Sequence, residues 1–367
     1  MEQDGKAAKI TIVLHDFAPG GTERIIVRLA NHWAGAGRDV TILCGSETGP
    51  ARALLGDRVA VTQTVPPTPR APGSRELLAR RLAPVIAAAA ADVIVGPGNF
   101  HLPILAGLID QGIATPIVAK LSNPLDRGDL GRFRNALFGW RKRREVHGLA
   151  RLVAMSDALA ADVFRTLPGS RISVIGEPIV ECTDRTPHIA ANAPRILVAG
   201  RLVTQKRVDL ALAGFAAWDR PDAQLTIAGD GADRAALERL AAKLGIADRT
   251  SFVGQVKDMH ACYASADMLL STSSFEGFPA ALVEAIVAGV PVVATRSSVA
   301  LPEILADPSF GRIVGPGRRA IAAALEEQSH AGPIDEPVRL ALARRHDAAA
   351  SAAKWLDLLD TVVAERR

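Results

Sequence analysis

Short apolar runs recur along the chain, and each ends in a turn that opens an amphipathic stretch. The first is "ITIVLH" (10–15), followed by a Gly-rich turn and "TERIIVRLANHWAGAG", where apolar positions return every three or four residues. "DVTILCG", "DVIVGPG", "PIVAKLSN" and "RLVAMS" continue the series. These runs are continuous rather than alternating and rich in Val and Ile, the pattern of strands buried on both faces of a parallel sheet. The rhythm breaks at "ECTDRTPHIAANAP" (181–194), a polar stretch with two prolines and no apolar period, which reads as a linker. It then restarts with "RILVAGRL", "AQLTIAGDG", "TSFVGQV", "DMLLSTS", "PVVATRS" and "FGRIVGPG", with helical segments between. Alternating strands and helices predict an α/β chain with two doubly wound parallel sheets, a first domain over 1–186 and a second over 187–345. In such sheets ligands bind at the carboxyl ends of the strands, so the expected site is a cleft between the domains. In the last segment, 346–367, Ala353, Leu356, Leu359 and Val363 keep helical spacing, predicting a C-terminal helix.

Composition narrows the picture. The 367 residues are 49% hydrophobic, ample for packed cores, with a net charge of +4. Residues 1–186 carry 23 Lys and Arg against 18 Asp and Glu, so the positive excess lies in the first half. A basic half suits phosphates, nucleic acid or an acidic membrane surface. The three cysteines, Cys44, Cys182 and Cys262, are far apart and form neither a disulfide framework nor a zinc motif. The first residues run directly into a strand without a signal-peptide pattern. The apolar run around "LAPVIAAAAADVIVG" is too short for a membrane span and is interrupted by Asp92. The expected address is the cytoplasm.

Candidate chemistry concentrates in the second half. In "FEGFPAALVE", Glu276 falls in the turn after "DMLLSTS", and Pro279 suits the first turn of a helix running from about Phe278 to Gly289. Glu284 then lies inside that helix among apolar neighbours. Backbone N–H groups of Gly277, Phe278 and Ala280 belong to a helix start, which favours phosphate. Two acids on either side of such a start can hold two sets of sugar hydroxyls. In "AGRLVTQKRVDLAL" (199–212), Arg201 and Lys206 flank a short loop after a strand. A planar fork and a point charge there suit a diphosphate, and stabilise its charge if it leaves. Asp209 reads as structural. "IAGDG" is either a phosphate turn or a place of close backbone packing, and Val256 in "FVGQVKDM" is placed to wall a nucleobase. In the first half, Gly20–Gly21 opens a helix without the G-x-G-x-x-G fingerprint, which removes support from a nicotinamide enzyme. Glu23 and Arg24 are as readily capping and packing residues as site residues. The segment "RFRNALFGWRKRR" (132–144) holds six Arg and Lys, no acid, and interleaved Phe133, Leu137, Phe138 and Trp140, a pattern that can lie on an anionic lipid surface.

"AGRLVTQKRVD", "IAGDG", "FVGQV" and "EGFPAALVEAIVAGVPVVAT" stand in the order and spacing of glycosyltransferase family 4, which the chain resembles; Glu276 to Glu284 is its E-x7-E pattern. The resemblance extends through "LPEILADPSFGRIVGPG" and, more loosely, through "PGGTERIIVRLA" and "RLVAMSDALAADV". It implies a GT-B fold and a retaining, metal-independent transfer from a nucleotide-diphosphate sugar, a UDP-sugar being favoured, with no cofactor. Arg201 and Lys206 would hold the diphosphate, Glu276 would face the transferred sugar, and the backbone from Gly277 through Phe278 and Pro279 to Ala280 would bind sugar and phosphate. Glu284 would take the ribose, and Gly21 would approach the phosphates. The C-terminal helix around Trp355 would join the first domain. Retention is explained in the family by front-side attack assisted by donor phosphate oxygen. The chain departs from the family at Ser122, beside Asn123, where many members carry a His, with His101 a candidate substitute; "VIGEPIVE" replaces the usual Asn-Gly. The expected acceptor is a saccharide or lipid-linked glycan of surface polysaccharide synthesis, with peripheral membrane contact through 132–144 and no nucleic acid. A sugar-nucleotide binder without turnover is the alternative.

Overall fold

The computed structural model describes residues 6–125, 132–181, 193–256 and 258–366. Most of the expected linker therefore lies outside the described residues. The chain divides into two compact units. One runs to Pro178 and resumes at His346; the other is Ile179–Arg345. The first crossing thus precedes the sequence-drawn boundary at 186.

The first unit is built on a seven-stranded sheet: β1 (Lys9–Leu14), β2 (Asp39–Cys44), β3 (Ala60–Gln63), β4 (Val93–Gly96), β5 (Ile117–Leu121), β6 (Arg151–Ala154) and β7 (Ile172–Val174). The order is β3-β2-β1-β4-β5-β6-β7, all parallel. Strand order reverses beside β1, so β1 and β4 diverge to a crevice at their carboxyl ends. β1 is buried from Ile10 onward and β4 along its whole length, because helices cover both faces. The helix Gly21–Gly35 buries Ile25, Ile26, Leu29 and Trp33. The C-terminal helix Ala348–Ala364, capped by Asp347 through the Ala350 N–H, packs there too. Trp355 and Leu359 are fully buried in the same core as Ile10, Ile12 and Trp33. The Trp33 and Trp355 ring centroids are 5.9 Å apart, and Arg38 holds Asp360 through two bonds of 2.9 and 2.8 Å.

The second unit carries β8 (Arg195–Ala199), β9 (Gln224–Ala228), β10 (Thr250–Gly254), β11 (Met268–Ser271), β12 (Val292–Thr295) and β13 (Gly311–Val314). Their order is β10-β9-β8-β11-β12-β13, again wholly parallel. Here the reversal lies between β8 and β11, which brings together the loops that follow them. Those loops carry "GRLVTQK" and "TSSFEGFP".

Candidate functional site

The loop after β8 holds Arg201 and Lys206, and the loop after β11 holds Glu276. They are clasped together: the Ser274 N–H donates to the Gln205 carbonyl at 2.9 Å, and Gln205 Nε2 donates to the Phe275 carbonyl at 2.7 Å. Thr272 Oγ1 donates to the Arg207 carbonyl at 2.8 Å. Arg207 sits in the left-handed region, φ 48, a conformation costly for a side-chain-bearing residue. Such local strain persists only where surroundings over-determine it. The consequence is contact between the two charges: Lys206 Nζ lies 2.6 Å from Glu276 Oε1, which also accepts from Ser273 Oγ at 2.6 Å. Arg201 is exposed on the same loop, and its guanidinium has no hydrogen-bond or ion-pair partner among the described residues.

The helix after Glu276 spans Ala280–Val287, two residues shorter at its start than expected. The backbone donors there are only partly open. Glu276 N–H donates to the Ser297 carbonyl at 2.6 Å, Ala280 N–H to Phe278, and Pro279 has none to give. Of the expected helix-start donors, the Ala280 N–H is thus already taken up. Gly277 N–H has no acceptor among the described residues, and the Gly277 carbonyl accepts from Ser298 Oγ at 2.7 Å. Glu284 is half-buried, and its Oε2 accepts from Tyr263 Oη at 3.0 Å. Val256 is partly buried against the same core as Met259 and Phe278.

"IAGDG" turns out to pack backbone on backbone. A Cβ on Gly229 would stand 1.8 Å from the Gly200 carbonyl oxygen, and one on Gly231 2.2 Å from that of Leu202. The Leu202 N–H donates to Asp230 and the Asp233 N–H to Leu202, so this turn buttresses the Arg201 loop.

In the first unit, the carboxyl ends of β1 and β4 meet around residues the motif reading passed over. Asp16 accepts two bonds from Arg70, at 2.6 and 2.7 Å, and Arg70 reaches Glu23 at 2.8 Å. Arg70 also stacks over Phe100, 4.5 Å from its centroid. Burial pushes the Asp16 carboxyl up, but the His15 ring 3.5 Å away and bonds from Arg70 and the Ala18 N–H outweigh it and hold the group well below the usual range. His101 does not present itself as an acceptor-side group: it is fully buried, and its Nε2 accepts from the His15 N–H at 3.2 Å. Burial first, then the Arg70 charge, lowers its pKa to about 3, so the ring is neutral. Ser122 and Asn123 lie after β5, and both their N–H groups go to Asn99 Oδ1, at 2.7 and 3.0 Å. Ser122 Oγ is buried without a partner among the described residues. Gly21 begins its helix with open space where a Cβ would stand.

The basic segment forms the helix Arg132–Val146. Side chains of 132–136 and 138 lie outside the described residues. Leu137 and Trp140 are exposed at 59% and 58%. Glu145, just beyond the basic run, pairs with Arg141 at 3.0 Å and with Lys142. Among the described residues no group of three or more His, Cys, Asp or Glu is placed to hold a metal ion, and no helix is long and apolar enough to cross a membrane.

Comparison with known proteins bears on both units. The family described as Glycosyl transferases group 1 matches residues 183–341, and the Glycosyl transferase 4-like domain matches 20–176. The GDP-mannose-dependent alpha-(1-6)-phosphatidylinositol dimannoside mannosyltransferase of Mycobacterium tuberculosis is 38% identical over 134 residues, 35% of this chain and 34% of that protein. The lipopolysaccharide core biosynthesis glycosyltransferase LpsE of Rhizobium meliloti is 34% identical over 107 residues, 29% of this chain and 31% of its own. These matches span no more than about a third of either relative. Anabaena HepE, solved in complex with UDP-glucose, superposes with a TM-score of 0.71 at 19% identity, covering 98% of both chains.

Proposed function

The chain belongs to the group 1 and 4-like glycosyltransferases and has the GT-B fold, and from that premise we propose that it transfers a sugar, with retention, from a nucleotide-diphosphate sugar to a saccharide or lipid-linked acceptor in surface polysaccharide synthesis. A UDP-sugar is the favoured donor. The observation that carries the reading is the Lys206–Glu276 contact at the switch point of the second sheet. Lys206 has three N–H donors and gives one to Glu276, leaving two for phosphate oxygens. Arg201 adds a guanidinium with no partner among the described residues. Together they stabilise negative charge as the nucleoside diphosphate departs, without metal. Glu276 faces the sugar hydroxyls, and Gly277 offers its N–H beside them. Glu284 takes the ribose, and Val256 flanks the base.

The test is a thermal-shift panel of nucleotide sugars followed by a donor-hydrolysis assay, since a ligand bound only by folded protein raises its melting point. A donor that shifts the wild type and is consumed slowly in water supports transfer. No shift with any nucleotide sugar defeats the reading. Binding without turnover leaves the alternative, a sugar-nucleotide binder; the absence of an ionisable side chain at Ser122 and Asn123 favours it.

The helix Arg132–Val146 supplies the membrane part of the proposal. Exposed Trp140 and Leu137 accompany Arg143 and Arg144, and the expected partner is an anionic bilayer. Vesicles containing phosphatidylglycerol should sediment the protein, and replacing Arg143, Arg144 and Trp140 by Ala should release it. Equal sedimentation of the variant removes the membrane contact.

A further inference from the structure

The geometry points to Tyr263 as the positioning residue for Glu284, and to the resulting phenol–carboxylate pair as the device that selects donors with an intact ribose diol. The inference rests on the donor reading of Glu284 given above.

Tyr263 is the chain's single tyrosine. It belongs to the short helix His260–Ala264, and its ring is buried in the core that also holds Leu282, Val283 and Ile286. From that fixed position its Oη donates to Glu284 Oε2 at 3.0 Å. Glu284 lies between buried Val283 and Ala285 on the helix Ala280–Val287, and no cation pairs with it among the described residues. A half-buried carboxylate needs hydrogen-bond donors to offset lost hydration. A phenol provides one while remaining neutral at physiological pH, so the negative charge is kept rather than cancelled. The carboxylate has about four lone-pair sites, and the phenol occupies one of them. The remainder are available for two vicinal hydroxyls. A glutamate's terminal torsion is broad when unrestrained, and tethering one oxygen removes that freedom before the ligand arrives. The core, through Tyr263, thereby orients a group at the site.

The competing account is a tie between two helices with no bearing on ligand. Tyr263→Phe separates the two, because it keeps the ring and its packing and removes the hydroxyl alone. UDP-glucose and GDP-mannose, each with its 2′-deoxyribose counterpart, are the probes. Tyr263→Phe should raise Kd and KM for the ribonucleotide sugar that binds by about tenfold, in line with bonds to charged groups, with kcat within about twofold. It should leave affinity for the deoxy counterpart unchanged. Unchanged affinity for both, or an equal loss for both with a lowered melting point, overturns the inference. Glu284→Gln distinguishes its failure from failure of the donor reading. If Glu284→Gln weakens ribonucleotide binding and Tyr263→Phe does not, only Tyr263 is misassigned. If Glu284→Gln binds like wild type, the ribose role of Glu284 itself is wrong.

Discussion

Lys206 and Glu276 neutralise each other at 2.6 Å before any donor is present, with Ser273 completing the carboxylate's partners. Removing one partner leaves the other charge half-buried and uncompensated. Lys206→Ala is therefore expected to lower kcat by about 10²–10³-fold, the scale seen when a single charge-stabilising donor is lost. Glu276→Gln, which keeps shape and loses charge, should fall in the same direction. Steady-state transfer with the donor found by thermal shift reads both. A variant with wild-type kcat would remove its residue from the machinery. His101 gives a second prediction. It faces Arg70, His15, Asp16 and Arg75, and its pKa falls from 6.5 to about 3 on folding. Between those values the unfolded chain takes up a proton that the folded chain refuses. Stability therefore falls as the pH drops below about 6.5, by up to about 1.4 kcal/mol per pH unit. Asp16, whose carboxyl is held low, adds its loss further into acid. His101→Gln retains an acceptor for the His15 N–H and should flatten the upper part of this slope in urea unfolding at stepped pH. An unchanged slope would place the acid sensitivity elsewhere.

At the scale of elements, the turn after β9 acts as a brace for the loop after β8. Gly229 has φ 152 and faces the Gly200 carbonyl, so both conformation and space exclude a side chain. Gly229→Ala should cost on the order of 2–4 kcal/mol, because backbone must move against backbone. It should weaken donor binding as well, since Arg201 sits in the displaced loop. Denaturant midpoints and thermal shifts measure the two effects. The strands themselves were legible because double burial leaves an unbroken apolar run, as in "RILVA" and "VVAT". Lys206 and Glu276 were legible as strand-end loop residues in shared family motifs; that they touch follows from the reversal in strand order, which the apolar pattern alone does not encode. Tyr263 and Arg70 were not, since each reaches its partner across 21 or 54 positions through tertiary packing that no local period encodes. His101 looked like a loop histidine because its burial depends on Phe100 and on the elements around it, not on its own segment.

For the whole molecule, the first unit is discontinuous. Its core is closed by the helix Ala348–Ala364, which supplies Trp355 and Leu359 and accepts the Trp33 Nε1–H on the Ala352 carbonyl at 3.2 Å. Trp355→Ala should destabilise this unit by about 3–5 kcal/mol. It should leave nucleotide-sugar affinity at low temperature intact, because the residues proposed to hold the donor lie in Ile179–Arg345. Calorimetry with and without donor checks both parts. An unaltered melting profile would deny the helix its structural weight.

The same discontinuity bears on how the polypeptide is made. Trp33 leaves the ribosome more than three hundred codons before its closing partner, Ala352 being 319 residues away. At about 5–20 residues per second this is a wait of tens of seconds. Throughout that interval the nascent lobe presents an uncovered greasy face to chaperones. A message cut short anywhere upstream of codon 348 never covers it, so aborted products carry their own mark for proteolysis.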